Sequence, residues 1–233
     1  NMKLSIILPC YNEEKNIPLI LEKFNNCIKT KDIELILVNN GSTDNSEDVL
    51  KKTLPNYSFA RTVKIEINEG YGYGVVQGLN SSKGEFVCYT HADMQTDPED
   101  VLKGLEIIKN SSDSENCFIK GDRKGRGFFD QCFTIGMSVF ETLYMRTILW
   151  DINAQPNLFH RNFFKSLDNI PKDFSLDLYF LFMAKKMGLN IIRFDVVFPS
   201  RIHGVSSWND GLSSRWKFIK RTINFSTKLK KEL

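Results

Sequence analysis

Four strand-length segments alternate with helical patterns in the first half of this chain, and that alternation limits the fold more than any other feature. The strands are Leu4–Leu8, stopped by Pro9, then Glu34–Val38, Val63–Ile67 and Glu85–Tyr89. Ile17, Ile20, Leu21 and Phe24 recur at helical spacing behind Asn16, which reads as a cap, with Pro18 in the first turn. A second helix is expected over Val75–Ser81, and Pro98 opens a third. Strands separated by helices imply a mostly parallel, Rossmann-like α/β sheet covered by helices. Ligands of such sheets bind beyond the carboxyl ends of the strands. Pro9–Glu13, Asn39–Asp44 and His91–Gln95 would therefore converge at one edge.

The second half is less regular. Asp130–Trp150 reads as a long helix, Asn157–His160 as a short strand, Ser175–Met187 as a helix and Ile191–Phe198 as a strand. The expected organisation is one domain over 1–208 and a basic amphipathic helix over 209–233 packed on it. Residues 212–233 hold seven Lys/Arg and one Glu, a net +6, while the remainder carries 24 Lys/Arg against 27 Asp/Glu, a net −3. A basic end on a mildly acidic body suits an anionic surface. On a helical wheel Leu212, Trp216, Ile219 and Ile223 share one face, with Phe218, Phe225 and Leu229 nearly opposite. One face can pack on the domain, and the other can meet a membrane surface or a second copy of the chain.

Five cysteines (Cys10, Cys27, Cys88, Cys117, Cys132) form no CxxC pair. Reduced, buried thiols of a cytoplasmic protein are expected, peripheral on the inner face of a membrane if the tail binds one. Phe133–Trp150 carries Glu141 and Arg146 and so reads as buried or amphipathic rather than membrane-spanning. The first apolar stretch has strand length, so no secretory signal is expected.

The segment His91-Ala92-Asp93-Met94-Gln95 follows the apolar run Phe86–Tyr89. A carboxylate at the end of a buried strand, with an amide two residues on, is placed to hold Mg2+ or Mn2+ shared with a substrate diphosphate. His91 stands where a partner carboxylate is expected. It can ligate through a ring nitrogen, hydrogen-bond a donor substrate, or serve structure alone.

Four motifs occur in order: Leu8-Pro9-Cys10-Tyr11-Asn12-Glu13-Glu14, Val38-Asn39-Asn40-Gly41-Ser42-Thr43-Asp44, Asn68-Glu69-Gly70-Tyr71-Gly72, and Asp93-x-Gln95. With them the chain resembles, from about Leu4 to Ser207, the family-2 nucleotide-sugar glycosyltransferases of GT-A fold. The nearest branch looks like the polyprenyl-phosphate sugar transferases typified by dolichyl-phosphate mannose synthase. The resemblance implies a nucleoside-diphosphate sugar held by Pro9, Tyr11, Glu13, Val38, Asn40, Gly70, His91, Ala92, Asp93 and Arg201. It implies a metal at Asp93 and Gln95, joined by His91. Asn40 departs from the usual acid of its loop, and as an amide both donates and accepts.

Lys120-Gly121-Asp122-Arg123-Lys124-Gly125-Arg126-Gly127 reads as a flexible basic loop after the fifth strand. By resemblance Arg123 contacts phosphate, with Lys124 and Arg126 beside it, and a guanidinium suits that task. Asp151–Arg161 matches the Gln-Pro segment near the acceptor. Asp177 lies near where relatives that act on hydroxyls keep a base. Arg201 opens a loop expected to close on the diphosphate, although Ser207 replaces its usual lysine.

The expected activity is inverting sugar transfer to a polyprenyl phosphate, with a saccharide hydroxyl as the alternative acceptor. A non-catalytic nucleotide-sugar binder is a second reading. The glycines at 70, 72, 74 and 78 could suggest a dinucleotide enzyme, but they follow the third strand and not the first. Nucleic acid is not an expected partner.

Overall fold

The computed structural model describes residues 3–124, 128–197 and 212–231. A seven-stranded sheet is built from β1 (Leu4–Cys10), β2 (Ile33–Asn40), β3 (Ala60–Ile65), β4 (Phe86–Tyr89), β5 (Cys117–Lys124), β6 (Asn157–His160) and β7 (Asn190–Val197). Their order is β3-β2-β1-β4-β6-β5-β7. Every pairing is parallel except those of β6, which runs antiparallel to both β4 and β5. The helices are α1 (Asn16–Cys27), α2 (Ser46–Thr53), α3 (Tyr71–Ser81), α4 (Pro98–Lys109), α5 (Phe128–Met145), α6 (Arg161–Lys165), α7 (Leu176–Lys186) and α8 (Leu212–Lys231). The expected helix-covered, mostly parallel sheet is present.

Adjacent residues of one strand feed different cores. Leu4, Ile6 and Leu8 pack with Ile17, Leu21 and Phe24 of α1 and Val101 and Leu105 of α4. Ile7, Ile36 and Val38 pack on the other face with Val75 and Leu79 of α3 and Phe180 of α7. Burial on both faces explains why these strands are apolar at consecutive positions. Each large side chain removed from water contributes about 1.5–3 kcal/mol. On the second face α3 lies so close to the sheet that a Cβ at Gly78 would meet Ile7 Cγ2 at 2.4 Å.

Several boundaries differ from the sequence reading. β3 ends at Ile65 because its partner β2 ends at Asn40, the residue it faces; Ile67 is left 75% exposed. α3 begins at Tyr71, behind Gly70 at φ 125°, a backbone region that strains other residues. Asn16 is the first helical residue rather than the cap, and its Nδ2 donates to Glu13 Oε2 at 2.5 Å. α5 stops at Met145, where Arg146 adopts left-handed φ 53° and ends the helix before Trp150. Lys120–Lys124 is strand and not loop, because β5 pairs with β7 along its whole length.

Among the described residues no helix is long and apolar enough to cross a membrane. α8 packs beside α5: Ser226 Oγ donates to Glu141 Oε2 at 2.6 Å, and Lys230 Nζ to the Tyr144 carbonyl at 2.9 Å.

Candidate active site

The loops after β1 and β2 are tied to each other at the carboxyl edge of the sheet. Asn12 Oδ1 accepts from the backbone N–H of Thr43 at 2.8 Å and of Asp44 at 3.3 Å. The Glu13 N–H donates to Ser46 Oγ at 3.0 Å, and the Asn45 N–H to Glu14 Oε2 at 3.0 Å. Short polar side chains serve here because they reach backbone groups that no strand partner satisfies. Tyr11 stands 48% exposed at the rim, two residues ahead of Glu13. Pro9 pairs with Val38 across β1 and β2.

Asn40, at the end of β2, is buried. Its Nδ2 donates to the Gly70 carbonyl at 3.0 Å and reaches Asn68 Oδ1 at 3.4 Å, and its Oδ1 has no hydrogen-bond partner among the described residues. This amide braces the glycine-rich turn from beneath. The turn itself is covered on its outer side: a Cβ at Gly70 would meet the Lys172 carbonyl oxygen at 2.3 Å. Gly70 and Gly72 thus admit the chain's own 171–173 segment, at a turn whose Gly70 is expected to line the nucleotide-sugar site.

The acidic motif follows β4. Asp93 is buried, and its Oδ1 accepts from the Gln95 N–H at 3.1 Å. Met94 takes a left-handed φ of 64°, which lets the loop fold back, and Asp97 caps α4 by accepting from the Glu99 N–H at 3.0 Å. His91 packs on Tyr71 with ring centroids 5.6 Å apart, and Phe174 stacks on Tyr71 at 4.8 Å. Arg221 of α8 lies over the Phe174 ring at 5.1 Å. Burial holds the Tyr71 phenol well above its usual range, reinforced by the charges of Asp177 and Asp93.

Behind the motif lies a polar layer inside the protein. Asp177, in the first turn of α7, is 2% exposed; it accepts from Tyr89 Oη at 2.7 Å and Gln155 Nε2 at 3.3 Å. Burial raises its carboxyl, opposed chiefly by the charge of Lys120 and by the Tyr89 hydrogen bond. Arg123 points inward to Asp151. Its N–H donates to Oδ2 at 3.0 Å and its Nε to Oδ1 at 2.9 Å, with an Nη2 contact to Oδ1 besides. Both side chains are almost fully buried. Lys124 is exposed, with Nζ 2.8 Å from Asp122 Oδ2.

The structure therefore brings Pro9, Tyr11, Glu13, Val38, Asn40, Gly70, His91, Ala92, Asp93, Gln95 and Asp177 to the carboxyl edge or just beneath it. Arg123 and Lys124 lie at the end of β5. Arg126 and Arg201, with His203 and Ser207, fall outside the described residues. Tyr71, Tyr89, Asp151, Gln155 and Asn157 acquire roles the motifs had not given them. The signal in sequence was the Asp151–Arg161 segment, read by resemblance as lying near the acceptor.

Among the described residues no three His, Cys, Asp or Glu side chains form a metal cage. A single buried carboxylate beside an imidazole and an amide fits a different design. Magnesium-type ions keep waters and share one or two carboxylates with substrate phosphates. That donor set suits Mg2+ or Mn2+.

The sheet order and the loops at its edge define a GT-A fold. Among solved structures, glucosyl-3-phosphoglycerate synthase from Mycobacterium tuberculosis, in complex with Mn2+ and UDP-glucose, superposes with a TM-score of 0.74 at 18% identity, covering 97% of this chain and 79% of that one. The same enzyme with Mg2+ and UDP gives 0.69 at 17% identity, covering 92% and 76%. A family model for glycosyl transferase family 2 matches residues 5–168, and the chain belongs to that family. Undecaprenyl-phosphate 4-deoxy-4-formamido-L-arabinose transferases are similar over 115 residues, at 35% identity in Proteus mirabilis and 30% in Yersinia enterocolitica. The match covers 48% of this chain and 35% of theirs, so it spans about a third of the length of those relatives.

Proposed function

We propose that this chain is an inverting glycosyltransferase that moves a sugar from a nucleoside diphosphate to a polyprenyl phosphate. The observation that carries this reading is the buried Asp93 in the loop after β4, at the same sheet edge as the two tied loops after β1 and β2. Family membership and the undecaprenyl-phosphate transferases among its relatives support it.

Tyr11 offers its ring to the base, and Glu13 accepts from donors of the nucleoside. Asn40 acts indirectly, by holding the Gly70 turn. Asp93 and Gln95, with His91, would hold Mg2+ or Mn2+, which when bound neutralises charge on the departing diphosphate. The acceptor oxygen attacks the anomeric carbon as the bond from that carbon to the diphosphate oxygen breaks. Arg201 and the basic group at 123–126 bring positive charge to the phosphates; of its described members Lys124 is exposed and Arg123 is held by Asp151.

Asp177 favours a phosphate acceptor over a hydroxyl. A base must reach the proton it removes, and this carboxylate is buried and already hydrogen-bonded. An anionic phosphate requires no such base.

The test is sugar transfer to a short polyprenyl phosphate, using UDP-, GDP-, CDP- and dTDP-sugars with Mn2+, Mg2+ or EDTA. Metal-dependent transfer supports the proposal; tight donor binding without turnover in any combination would indicate a binding protein instead.

Peripheral membrane contact through α8 forms part of the same proposal. Trp216 and Lys217, Lys220, Lys228 and Lys231 are exposed, and the neighbouring α5 exposes Ile135, Val139 and Leu143. Apolar residues beside lysines suit an anionic lipid surface. Co-sedimentation with anionic but not neutral vesicles is expected; equal binding to both, or to neither, defeats this part.

A further inference from the structure

A lysine with no exposed surface lies in the middle of β5. Lys120 Nζ donates to the Ala154 carbonyl at 2.8 Å and to Asn157 Oδ1 at 2.7 Å. Burial pushes its ammonium down to about 7, against the pull of Asp177. Neither hydrogen-bond acceptor is charged, so the site is costly unless it serves something.

As an ammonium Lys120 can only donate, and as an amine its two N–H bonds still serve the Ala154 carbonyl and Asn157 Oδ1. Asn157 must therefore turn its oxygen to Lys120, which sends its Nδ2 toward Gln155 Oε1 at 2.8 Å. Once that oxygen accepts, Gln155 Nε2 faces the other way. It donates to Asp177 Oδ1 and to Tyr71 Oη, both at 3.3 Å. Each carboxamide alone has two orientations of similar shape. Lys120 donating to Oδ1, with the Ala154 carbonyl accepting from Asn157 Nδ2 at 3.3 Å, favours one orientation for both, and the sense of donation runs from Lys120 to Asp177. Tyr71, at the end of the chain of bonds, is the ring on which His91 packs.

We propose that Lys120 is a positioning residue that sets the orientation of Asn157 and Gln155, and thereby fixes Gln155 as a donor to Asp177 and Tyr71 behind the acidic motif. Its effect on turnover rests on the glycosyltransferase reading; its effect on the carboxamides does not. With Gln155 reversed, two oxygens would face each other across a dry contact, a repulsive arrangement.

Lys120→Met removes the donor but also disturbs packing, so the decisive variant is Asn157→Asp. The aspartate is nearly isosteric and gives Lys120 a carboxylate, so the fold is expected to hold with Tm equal to or above wild type. Its second oxygen faces Gln155 and forces the reversal. The expected result is a fall in kcat of at least about tenfold, with the donor KM within about twofold of wild type. The side-chain amide resonances of Gln155 should shift and exchange faster with solvent. Wild-type kcat in Asn157→Asp overturns the proposal, as do unmoved Gln155 resonances. If the wild-type chain transfers no sugar, the functional reading fails on its own, and the Gln155 resonances still decide the orientation relay.

Discussion

On the side of β1 and β2, hydrogen bonds from loop backbone N–H groups near the surface hold the site: 43–44 to Asn12 Oδ1, Glu13 to Ser46 Oγ and Asn45 to the Glu14 carboxylate. On the side of β5 and β6 the ties are charged and buried: Arg123 with Asp151, and Lys120 with the carboxamides leading to Asp177. The first region keeps its polar groups where a ligand can reach them and can be adjusted at little cost. The second places charge inside the protein, where a broken pair is expensive and geometry is fixed. A donor pocket that must admit and release a nucleotide suits the first kind of construction. A wall that must keep one shape suits the second.

The largest expected effect is on chemistry and not on folding. Asp93→Ala should lower sugar transfer by about a thousandfold, with Tm near that of wild type; unchanged turnover would remove Asp93 from the site. On the buried side, Asp151→Ala leaves the Arg123 guanidinium inside without its partner, and denaturant unfolding should show a loss of about 3–5 kcal/mol. A loss below about 1 kcal/mol would mean that the two sides are not built differently after all.

Glu141 extends the buried-charge pattern to α8. Burial raises its carboxyl from 4.5 to about 7, opposed by the Ser226 hydrogen bond. A folded-state pKa above the unfolded value contributes stability that is complete below the unfolded pKa and lost as pH rises through the folded one. Tm should therefore fall by several degrees between pH 4.5 and about 7; Glu141→Gln should flatten that slope, and an unchanged slope would point to another group.

Asn40 is a buried residue at the end of β2. Asn40→Asp sets an oxygen against the Gly70 carbonyl that its Nδ2 now serves, and should cost about 1–3 kcal/mol. The smallest change belongs to the surface ties: Asn12→Ala should cost only about 1 kcal/mol by the same measurement. Were Asn12 the costlier of the two, the contrast between surface and interior would be lost.

The surface side was the more legible in sequence. Its strands are apolar at consecutive positions, its loops are rich in Asn, Ser and Thr, and its carboxylate follows a strand directly. Each of these signals is local. The buried side reads poorly because its partners lie far apart in the chain. Arg123 and Asp151 are joined only because β5 and the segment before β6 lie side by side, and nothing near Arg123 announces the pair. Lys120-Gly121-Asp122-Arg123-Lys124 has the composition of a loop, yet β7 holds it extended by a full ladder of backbone hydrogen bonds. The glycine-rich turn is a similar case: the glycines stand out in sequence, but the segment that packs against Gly70 and Gly72, 171–173, lies a hundred residues away.

The reversed strand β6 has a consequence for how the site comes into being. It pairs 157–160 with 86–89 on one side and with 118–120 on the other. Parallel β1, β2 and β3 can assemble from the first third of the chain alone, whereas β6 must return across a long stretch of sequence, and such distant closures form slowly. Because it runs backwards, its beginning lies at the carboxyl edge of its neighbours, bringing Gln155 and Asn157 beside the acidic motif. The donor loops can therefore be complete while the wall behind them is still missing. In a refolding experiment nucleotide binding should return before turnover, and the interval between them measures how long the sheet waits for its one reversed strand.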